Sequence, residues 1–288
     1  MILITGATGH FGKATIDFLL QKGVDKKNIV ALVRDTAKAS ALPGIATRVG
    51  DFNDKASLSA AFKGVDTLLF VSSGTLVDRV QQHKNVVDAA KENHVKHIVY
   101  TSALKAASAM KFTPGIDHYE TEEFLKTSGI AYTVLRNTFY AEVLPMLLGD
   151  ALTSGDLYYP AGNATVNLAS RTDMAEAAAV VLQNPAAHVN TIYEITAARS
   201  ISFAELAALL SAAVGKTITY HSITLDAMKD GLVKAGVPEI YVPMMLGVAD
   251  AIGSNEFSYA DNSLEKLIGR TPTALKDLLP GILKQKGE

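Results

Sequence analysis

Three glycines near the start of the chain have the spacing of a turn that binds phosphate groups. The turn follows an apolar run at residues 2–5 and precedes a helical pattern, and its candidate binding residues are Gly6, Ala7, Thr8, Gly9, His10, Phe11 and Gly12. In such turns one glycine permits the tight bend, another lets the backbone approach a pyrophosphate, and a third allows close packing of helix on strand. The N–H groups and positive dipole end of the helix attract phosphates. We therefore expect residues 6–12 to bind a dinucleotide.

Two basic residues follow the second predicted strand, where the adenosine ribose of a dinucleotide lies in such folds. Arg34 can hold a phosphate through two hydrogen bonds, and Lys38 adds a second positive charge. Arginine here accommodates the 2′-phosphate of NADP, whereas an acid at this position favours NAD. Asp35 would repel the phosphate if it pointed inward, and a solvated Arg34–Asp35 pair is the alternative. The sequence favours NADPH, with NADH as the second choice.

A tyrosine followed by lysine four residues later protonates the carbonyl substrate in standard short-chain dehydrogenases. None of the 10 tyrosines has lysine at that distance. An isolated ketone yields a basic alkoxide and needs a positioned acid. A quinone yields a phenolate-like anion, and because a phenol has a pKa of about 10, water can protonate it. The missing pair favours a conjugated acceptor and also fits a protein without catalysis.

Short apolar runs alternate with helical patterns through the first half of the chain. Strands are predicted at residues 2–5, 28–33, 46–50, 67–72, 97–101 and 131–135. Strands that are apolar on both faces and separated by helices belong to a covered parallel sheet. Right-handed crossovers then give an α/β fold with a doubly wound parallel sheet of the Rossmann type.

The pattern becomes less regular after residue 137. A helix at 172–182 and a strand at 191–195 return to the sheet, and the later residues are mainly helical with several prolines. We expect residues 1–137, completed by a segment around 165–196, to form the dinucleotide-binding domain. Residues 138–164 and 197–288 are expected to form a smaller, discontinuous, mainly helical substrate domain.

An ordered set of segments resembles the NmrA-like family of atypical short-chain dehydrogenases. The set comprises the glycine turn, Val33-Arg34-Asp35 with Lys38, Gly50-Asp51-Phe52, Val71-Ser72-Ser73, Tyr100-Thr101-Ser102, residues 132–137 and Ser170-Arg171-Thr172-Asp173. These segments cover nearly the whole chain. Within the family, the chain is most similar to type 2 NAD(P)H:quinone oxidoreductases and next to triphenylmethane reductases.

The resemblance implies further contacts with the cofactor. Asp51 and Phe52 match the pair that contacts adenine, although an ordinary turn is equally compatible with them. The other cofactor-binding residues that the resemblance implies are Ser72, Ser73, Gly74, Thr101, Ser102 and Asn137.

His118 is the candidate catalytic residue. The register of the family places Pro114 where the tyrosine would stand and His118 where the lysine would stand. His118 could hydrogen-bond the nicotinamide ribose or carboxamide, and a pKa near neutrality would allow it to donate a proton. A surface or packing histidine is the alternative. His83 is assigned to a polar helix segment and no role.

Two segments at the carboxyl ends of strands five and six contain apolar residues that suit a flat aromatic acceptor. Ligands bind at this edge in open α/β sheets. Residues 103–115 are expected to form a lid, and the candidate acceptor-binding residues are Leu104, Phe112, Phe139 and Tyr140. Ordinary loop packing is the alternative.

Three functions are compatible with these residues. The first is an NADPH-dependent oxidoreductase that passes hydride to a quinone or similar conjugated acceptor. The alternative is an NADP(H)-sensing regulator like some NmrA-like proteins, with little or no catalysis. A sugar-nucleotide epimerase is disfavoured because it depends on the tyrosine–lysine pair.

Composition and charge exclude several other classes. The 288 residues contain no cysteine, which excludes disulfides, thiolate zinc sites and a cysteine nucleophile. With 27 basic and 29 acidic residues, the net charge of −2 argues against nucleic acid and membrane surfaces as partners. We predict a cytoplasmic protein without a metal site, and both a monomer and a homodimer are compatible with the sequence.

Overall fold

The computed structural model describes residues 1–75 and 77–284, without the side chains of residues 38, 39 and 41. Within that part, the central sheet has seven strands: β1 (Ile2–Ile4), β2 (Ile29–Val33), β3 (Ala46–Val49), β4 (Thr67–Phe70), β5 (His97–Ala103), β6 (Ala131–Asn137) and β11 (Thr191–Ile195). The strand order is β11-β6-β5-β4-β1-β2-β3, and every pair is parallel. The order reverses between β1 and β4, which leaves a crevice at the carboxyl edge. The expected doubly wound α/β fold is confirmed.

Helices cover both faces of this sheet because its strands are apolar on both sides. The helices concerned are α1 (His10–Gln21), α2 (Lys55–Ala61), α3 (Arg79–Glu92), α4 (Thr113–Ser128) and α7 (Arg171–Gln183). Successive strand residues point to opposite faces. Ile4 therefore joins the buried cluster under α1 and α7, whereas Leu3 joins the cluster under α2, α3 and α4.

Much of the rest of the chain packs around a third core, whereas Leu264 and Ile268 near the C-terminus join the core under α1 and α7. Its strands are β7 (Phe139–Tyr140), β8 (Asp156–Tyr159), β9 (Thr165–Val166), β10 (Leu168–Ala169), β12 (Ile201–Ser202) and β13 (Thr219–Ser222). Its helices are α5 (Leu144–Leu147), α6 (Ala151–Ser154), α8 (Phe203–Val214), α9 (Leu225–Lys234), α10 (Val242–Gly253), α11 (Ser263–Ile268) and α12 (Leu275–Lys284). Short 3-10 turns occupy Lys26–Asn28, Thr36–Ala41, Ala141–Val143 and Pro185–His188. The third cluster of buried residues includes Leu144, Phe203 and Phe257.

The segment expected as a lid is shorter than predicted. Strand β5 continues to Ala103, and α4 begins at Thr113 rather than at residue 116. Pro114 lies in the first turn of α4, where the missing N–H of proline leaves no hydrogen bond unmade. Only residues 104–112 thus connect strand and helix. No helix in the described residues is long and apolar enough to cross a membrane.

Candidate cofactor and acceptor site

The glycine turn connects β1 to α1 through a tight bend with open space beside Gly9. Gly6 has a φ of +58°, and the N–H of Gly9 donates to its carbonyl over 2.9 Å. A Cβ on Gly12 would lie 2.8 Å from Cα of Ala7, so only glycine allows α1 to approach the turn this closely. A Cβ on Gly9 would contact only the Gly6 carbonyl oxygen, at 3.3 Å. The space beside Gly9 is otherwise open, at a helix N-terminus without a side-chain cap.

The seven residues of the turn divide by burial. Gly6, Thr8, Gly9 and His10 are exposed, whereas Ala7, Phe11 and Gly12 are buried. The side chains of Ala7 and Phe11 belong to the core under α1. These two residues therefore offer a ligand only their backbone groups, and direct side-chain contacts are left to Thr8 and His10.

Arg34 extends from the end of β2 beside an acid that is already engaged. The Asp35 carboxylate accepts a hydrogen bond from the N–H of Ala37 over 2.9 Å, at the start of the 3-10 turn. Arg34 is exposed and pairs with no group in the described residues. The side chain of Lys38 lies outside the described residues. This arrangement leaves the guanidinium of Arg34 free for an anion and directs the carboxylate of Asp35 to the backbone.

Asp51 and Phe52 lie next to Arg34 because the N–H of Gly50 donates to the carbonyl of Val33 over 3.0 Å. The Asp51 carboxylate accepts from the backbone N–H of Asn53 over 2.8 Å. The Phe52 ring stacks edge-on against Phe70 at 5.6 Å. The two residues thus combine the ordinary turn with an apolar surface, and contact with adenine stays a prediction.

Hydroxyl groups join the ends of β1, β4 and β5. Thr5 Oγ1 accepts from the N–H of Val71 over 2.8 Å, and Thr101 Oγ1 accepts from the N–H of Ser72 over 2.9 Å. Ser73 donates its hydroxyl to Gln82 over 2.8 Å. The hydroxyls of Thr101 and Ser73 therefore hold the segment after β4 in place. Gly74 is exposed, with open space around its Cβ position.

Ser102 belongs to a buried ionic network. Its hydroxyl donates to the carboxylate of Glu122 over 2.6 Å, and Arg136 binds the same carboxylate through two hydrogen bonds of 2.9 and 2.7 Å. Arg136 also pairs with Glu194 at 3.0 Å. The hydrogen of Ser102 is thus committed to the protein, so its predicted contact with a cofactor would have to use the lone pairs of its oxygen.

Asn137 ends β6 at the carboxyl edge of the sheet, with its amide near the hydroxyl of Tyr140. Its side chain is only 7% exposed, yet neither Nδ2 nor Oδ1 has a hydrogen-bond partner among the described residues. Buried amides are nearly always paired. A ligand with both a donor and an acceptor would satisfy Asn137.

His118 is more enclosed than the sequence indicates. It is 8% exposed, and its Nδ1 lies 2.7 Å from the hydroxyl of Tyr100. Burial, followed by the charges of Arg79 and His83, lowers the pKa of His118 well below the usual 6.5. This environment therefore keeps the imidazole of His118 neutral at pH 7. The expected proton donor with a pKa near neutrality is not formed.

His83 is fully buried rather than part of a solvated helix face. Its Nε2 accepts from the N–H of Ser73 over 3.0 Å, which links α3 to the segment after β4. The helical spacing could have predicted this burial, because His83 lies three residues before the buried Val86 and four residues before the buried Val87.

The four acceptor candidates lie in different surroundings. Phe139 lines a cavity of about 860 Å³, and Phe112 lines a second cavity of about 470 Å³ together with Pro114. The two rings contact each other, with centroids 5.9 Å apart. Tyr140 instead packs 6.4 Å from Phe11 and under the guanidinium of Arg171. Leu104 is completely buried in the core, where a ligand would not reach it.

The larger cavity is apolar and lies between α5, β8, α9 and α10. Four of the seven methionines line it: Met146, Met228, Met244 and Met245. Methionine is flexible and adapts to ligands of different shape. Tyr159 also lines this cavity, and its hydroxyl has no partner among the described residues. Sequence reasoning missed both the methionines and Tyr159, because they come from separate segments without a common motif.

Acidic and histidine side chains do not gather elsewhere into a metal site. Within residues 1–75 and 77–284, no three His, Asp or Glu side chains are arranged to hold a metal ion. His97 hydrogen-bonds Thr133 over 2.8 Å in the sheet.

Comparison with known sequences identifies a family and individual relatives that the chain matches. The model of the NmrA-like family matches residues 1–280. Quinone oxidoreductase 2 of Escherichia coli is 39% identical over 282 residues, which are 96% of each chain. An NAD(P)H azoreductase of Xenophilus azovorans is 34% identical over 241 residues, 83% of this chain and 82% of that protein.

The fold of the chain is similar to that of solved structures over nearly its whole length. The NADPH complex of the Escherichia coli quinone oxidoreductase QOR2 superimposes with a TM-score of 0.93 at 36% identity, covering 98% of this chain and 100% of that one. The NADP(H) complex of a Citrobacter sp. triphenylmethane reductase superimposes with a TM-score of 0.89 at 37% identity, covering 99% of each chain.

Proposed function

The chain belongs to the NmrA-like family, and we propose that it transfers hydride from NADPH to a quinone or a similarly conjugated acceptor. One observation carries the proposal. The carboxyl end of β1 leads into a glycine turn, and the carboxyl end of β6 leads within two residues to Phe139 in the wall of a large apolar cavity, in a chain that has no tyrosine–lysine pair. The quinone oxidoreductase, azoreductase and triphenylmethane reductase that the chain resembles all have names that fit such chemistry.

The residues at the crevice fit a nicotinamide dinucleotide. The open space at Gly9 and the uncapped N-terminus of α1 would hold the pyrophosphate. The free guanidinium of Arg34 would hold the 2′-phosphate, since Asp35 is directed to the backbone. When bound, NADPH supplies the hydride.

Asn137 would orient the nicotinamide. A carboxamide carries a donor group, the NH2, and an acceptor group, the carbonyl oxygen, which match Oδ1 and Nδ2 of Asn137. Satisfying a buried amide that otherwise lacks partners favours binding by about 1–3 kcal/mol. Asn137 would thus fix the ring beside Phe139, which follows two residues later and lines the cavity.

The apolar cavity would bind the acceptor and exclude water. Its volume of about 860 Å³ lies at the upper end of the ~300–1,000 Å³ range of drug-sized ligand sites. The cavity therefore accommodates acceptors much larger than one quinone ring. Rate acceleration would come mainly from stacking donor and acceptor in a dry cleft, and water would protonate the phenolate-like product.

The two parts of the chain would divide these tasks. We propose that residues 1–137 with 165–196 bind the cofactor and that residues 138–164 with 197–288 build the acceptor cavity. The core that most of the second part shares supports this division, although α11 packs Leu264 and Ile268 against the sheet core instead.

A reduction assay tests the proposed function. Oxidation of NADPH is followed by absorbance with benzoquinone, a naphthoquinone, an azo dye and an isolated ketone as acceptors. We expect turnover with the conjugated acceptors and none with the ketone. Tight NADPH binding without turnover of any acceptor would contradict the proposal and favour the NADP(H)-sensing alternative.

A further inference from the structure

Three buried side chains form a hydrogen-bonded cluster between β5, α3 and α4. The Tyr100 ring lies 5.8 Å from the rings of both His83 and His118. Its hydroxyl oxygen is 2.7 Å from Nδ1 of His118 and 3.4 Å from Nδ1 of His83. Each of these groups can donate or accept, so their hydrogens must be arranged consistently.

The neighbours of His83 determine which ring nitrogen of neutral His83 carries the hydrogen. Its Nε2 accepts from the backbone N–H of Ser73, and a backbone amide can only donate. Neutral His83 therefore carries its hydrogen on Nδ1. That hydrogen goes to Thr121 Oγ1 at 2.8 Å, and the Thr121 hydroxyl in turn donates to the carbonyl of Asp117 over 2.8 Å.

The hydrogen of Tyr100 then has one near acceptor. Nδ1 of His83 already carries a hydrogen, and the neighbouring Thr121 hydroxyl already accepts that hydrogen and donates to Asp117. Nδ1 of His118, at 2.7 Å, is therefore the best-placed acceptor for the Tyr100 hydroxyl. His118 must accept on Nδ1 and carry its own hydrogen on Nε2. We infer that Tyr100 and His83 are positioning residues that hold His118 neutral with its hydrogen on Nε2, so that His118 serves the bound cofactor as a fixed hydrogen-bond donor.

The charges around the cluster support the neutral form. The ionisable groups that face it are Arg79 and His83 of α3, Tyr100 of β5, and Asp117 and Glu122 of α4. Arg79 lies 3.9 Å from Asp117, and Glu122 is bound by Arg136. Burial and Arg79 lower the pKa of His83 to about 3. A second hydrogen on His118 would also force Tyr100 to turn its hydroxyl away from its acceptor.

The free Nε2 of His118 points to the cofactor as its partner, which rests on the proposed function. The side chain is more than nine-tenths buried, and Nε2 makes no hydrogen bond within residues 1–75 and 77–284. His83 also holds the N–H of Ser73, in the segment expected to contact the cofactor. An oxygen of the nicotinamide ribose would accept from Nε2. A neutral imidazole orients or polarises such a group without giving up a proton.

Nitrogen-15 NMR of histidine-labelled full-length protein tests the tautomer without turnover. We expect His118, assigned by comparison with His118→Gln, to keep its hydrogen on Nε2 between about pH 5 and 8, where an ordinary histidine titrates. Tyr100→Phe should give mixed tautomers of His118. Tyr193→Phe is the matched control, because its hydroxyl also bonds a histidine, His188, at 2.8 Å. A hydrogen on Nδ1 of His118, or titration in that window, would overturn the inference.

Binding of NADPH tests the donor role. The Nε2–H signal of His118 should shift when NADPH binds, before any acceptor is added, and an unchanged signal would contradict the assignment. His118→Ala should weaken NADPH binding roughly two- to tenfold, the range of one neutral hydrogen bond. His118→Gln, which keeps a donor but cannot titrate, should recover most of that loss. Equal losses in both variants would show that His118 only packs. If quinone turnover failed while the NMR result held, the proposed acceptor would be wrong and the tautomer would stand.

Discussion

The glycine turn and the apolar cavity proposed for the acceptor are built in different ways. The turn uses consecutive residues, and its chemistry comes from backbone N–H groups at the start of α1. The cavity collects side chains from segments as distant as Phe139, Met228 and Met245. A phosphate site made of backbone groups, as proposed here, can therefore be predicted from a short sequence motif. Acceptor recognition by side chains depends on how remote segments pack, so it should also tolerate more substitution.

The largest expected effect is at the turn. Gly9→Glu should reduce NADPH affinity by more than a hundredfold, because the carboxylate would occupy the open space proposed for the pyrophosphate. Gly9 has a φ of −82°, and an acid at a helix N-terminus is favourable, so the protein should still fold. Calorimetric titration with NADPH and a thermal melt are the measurements. Gly9→Ala is the control and should bind far better. Unchanged affinity in folded Gly9→Glu would move the site elsewhere.

A smaller effect on affinity is expected at Arg34, and it should distinguish binding of the 2′-phosphate from binding of the rest of the cofactor. Arg34→Ala should weaken NADPH binding roughly tenfold to a hundredfold, as expected for losing a hydrogen-bonded charge pair, and leave NADH nearly unchanged. The ratio of the two dissociation constants is the measurement. Arg199→Ala is a suitable control, since Arg199 forms an exposed pair with Glu205. Equal weakening of both cofactors would mean that Arg34 has only a structural role.

A substitution in the proposed acceptor cavity should have a weaker effect, and it should change the KM for the acceptor and not the Kd for NADPH. Phe139→Ala should raise the KM for a naphthoquinone by about two- to tenfold and leave the Kd for NADPH unchanged, because one aromatic contact is worth about 0.5–1.5 kcal/mol. Steady-state kinetics with saturating NADPH would show this. Phe18→Ala, on α1 and half-buried, controls for general loss of packing. A changed NADPH affinity instead would mean that the two regions are not separate.

The smallest effect is expected at the opposite edge of the sheet. Hydrogen bonds from Lys96 and the N-terminus lower the pKa of Asp66 to about 2. A lowered folded-state pKa contributes stability above the unfolded value of about 3.9, and that stability disappears as the pH falls towards 2. Asp66→Asn should remove this contribution, which is small because the pair is exposed. Chemical denaturation at pH 7 and pH 3 measures it, and NADPH and quinone constants should not change.

Sequence patterns predicted the sheet, its helices and the glycine turn because each depends on local order. Leu3 and Ile4 face opposite sides of one strand, so a continuous apolar run already implies a covered sheet. The start of α4 was missed by three residues because Pro114 suits a first helical turn as well as a loop. The individual cofactor contacts, from Gly6 to Asn137, stay predictions that the geometry supports.

Spacing by itself determined that this chain has a glycine turn between a strand and a helix, an arginine after the second strand and no tyrosine–lysine pair, since each is a property of near neighbours or of residue counts. Only the tertiary structure decided what surrounds each group. It directed Asp35 to a backbone amide, committed Ser102 to Glu122 and left the amide of Asn137 without a well-formed hydrogen bond among the described residues. It also enclosed His118 with Tyr100 and lowered its pKa. Burial and hydrogen-bond partners come from residues far apart in the chain, and those partners determine how a titratable side chain behaves.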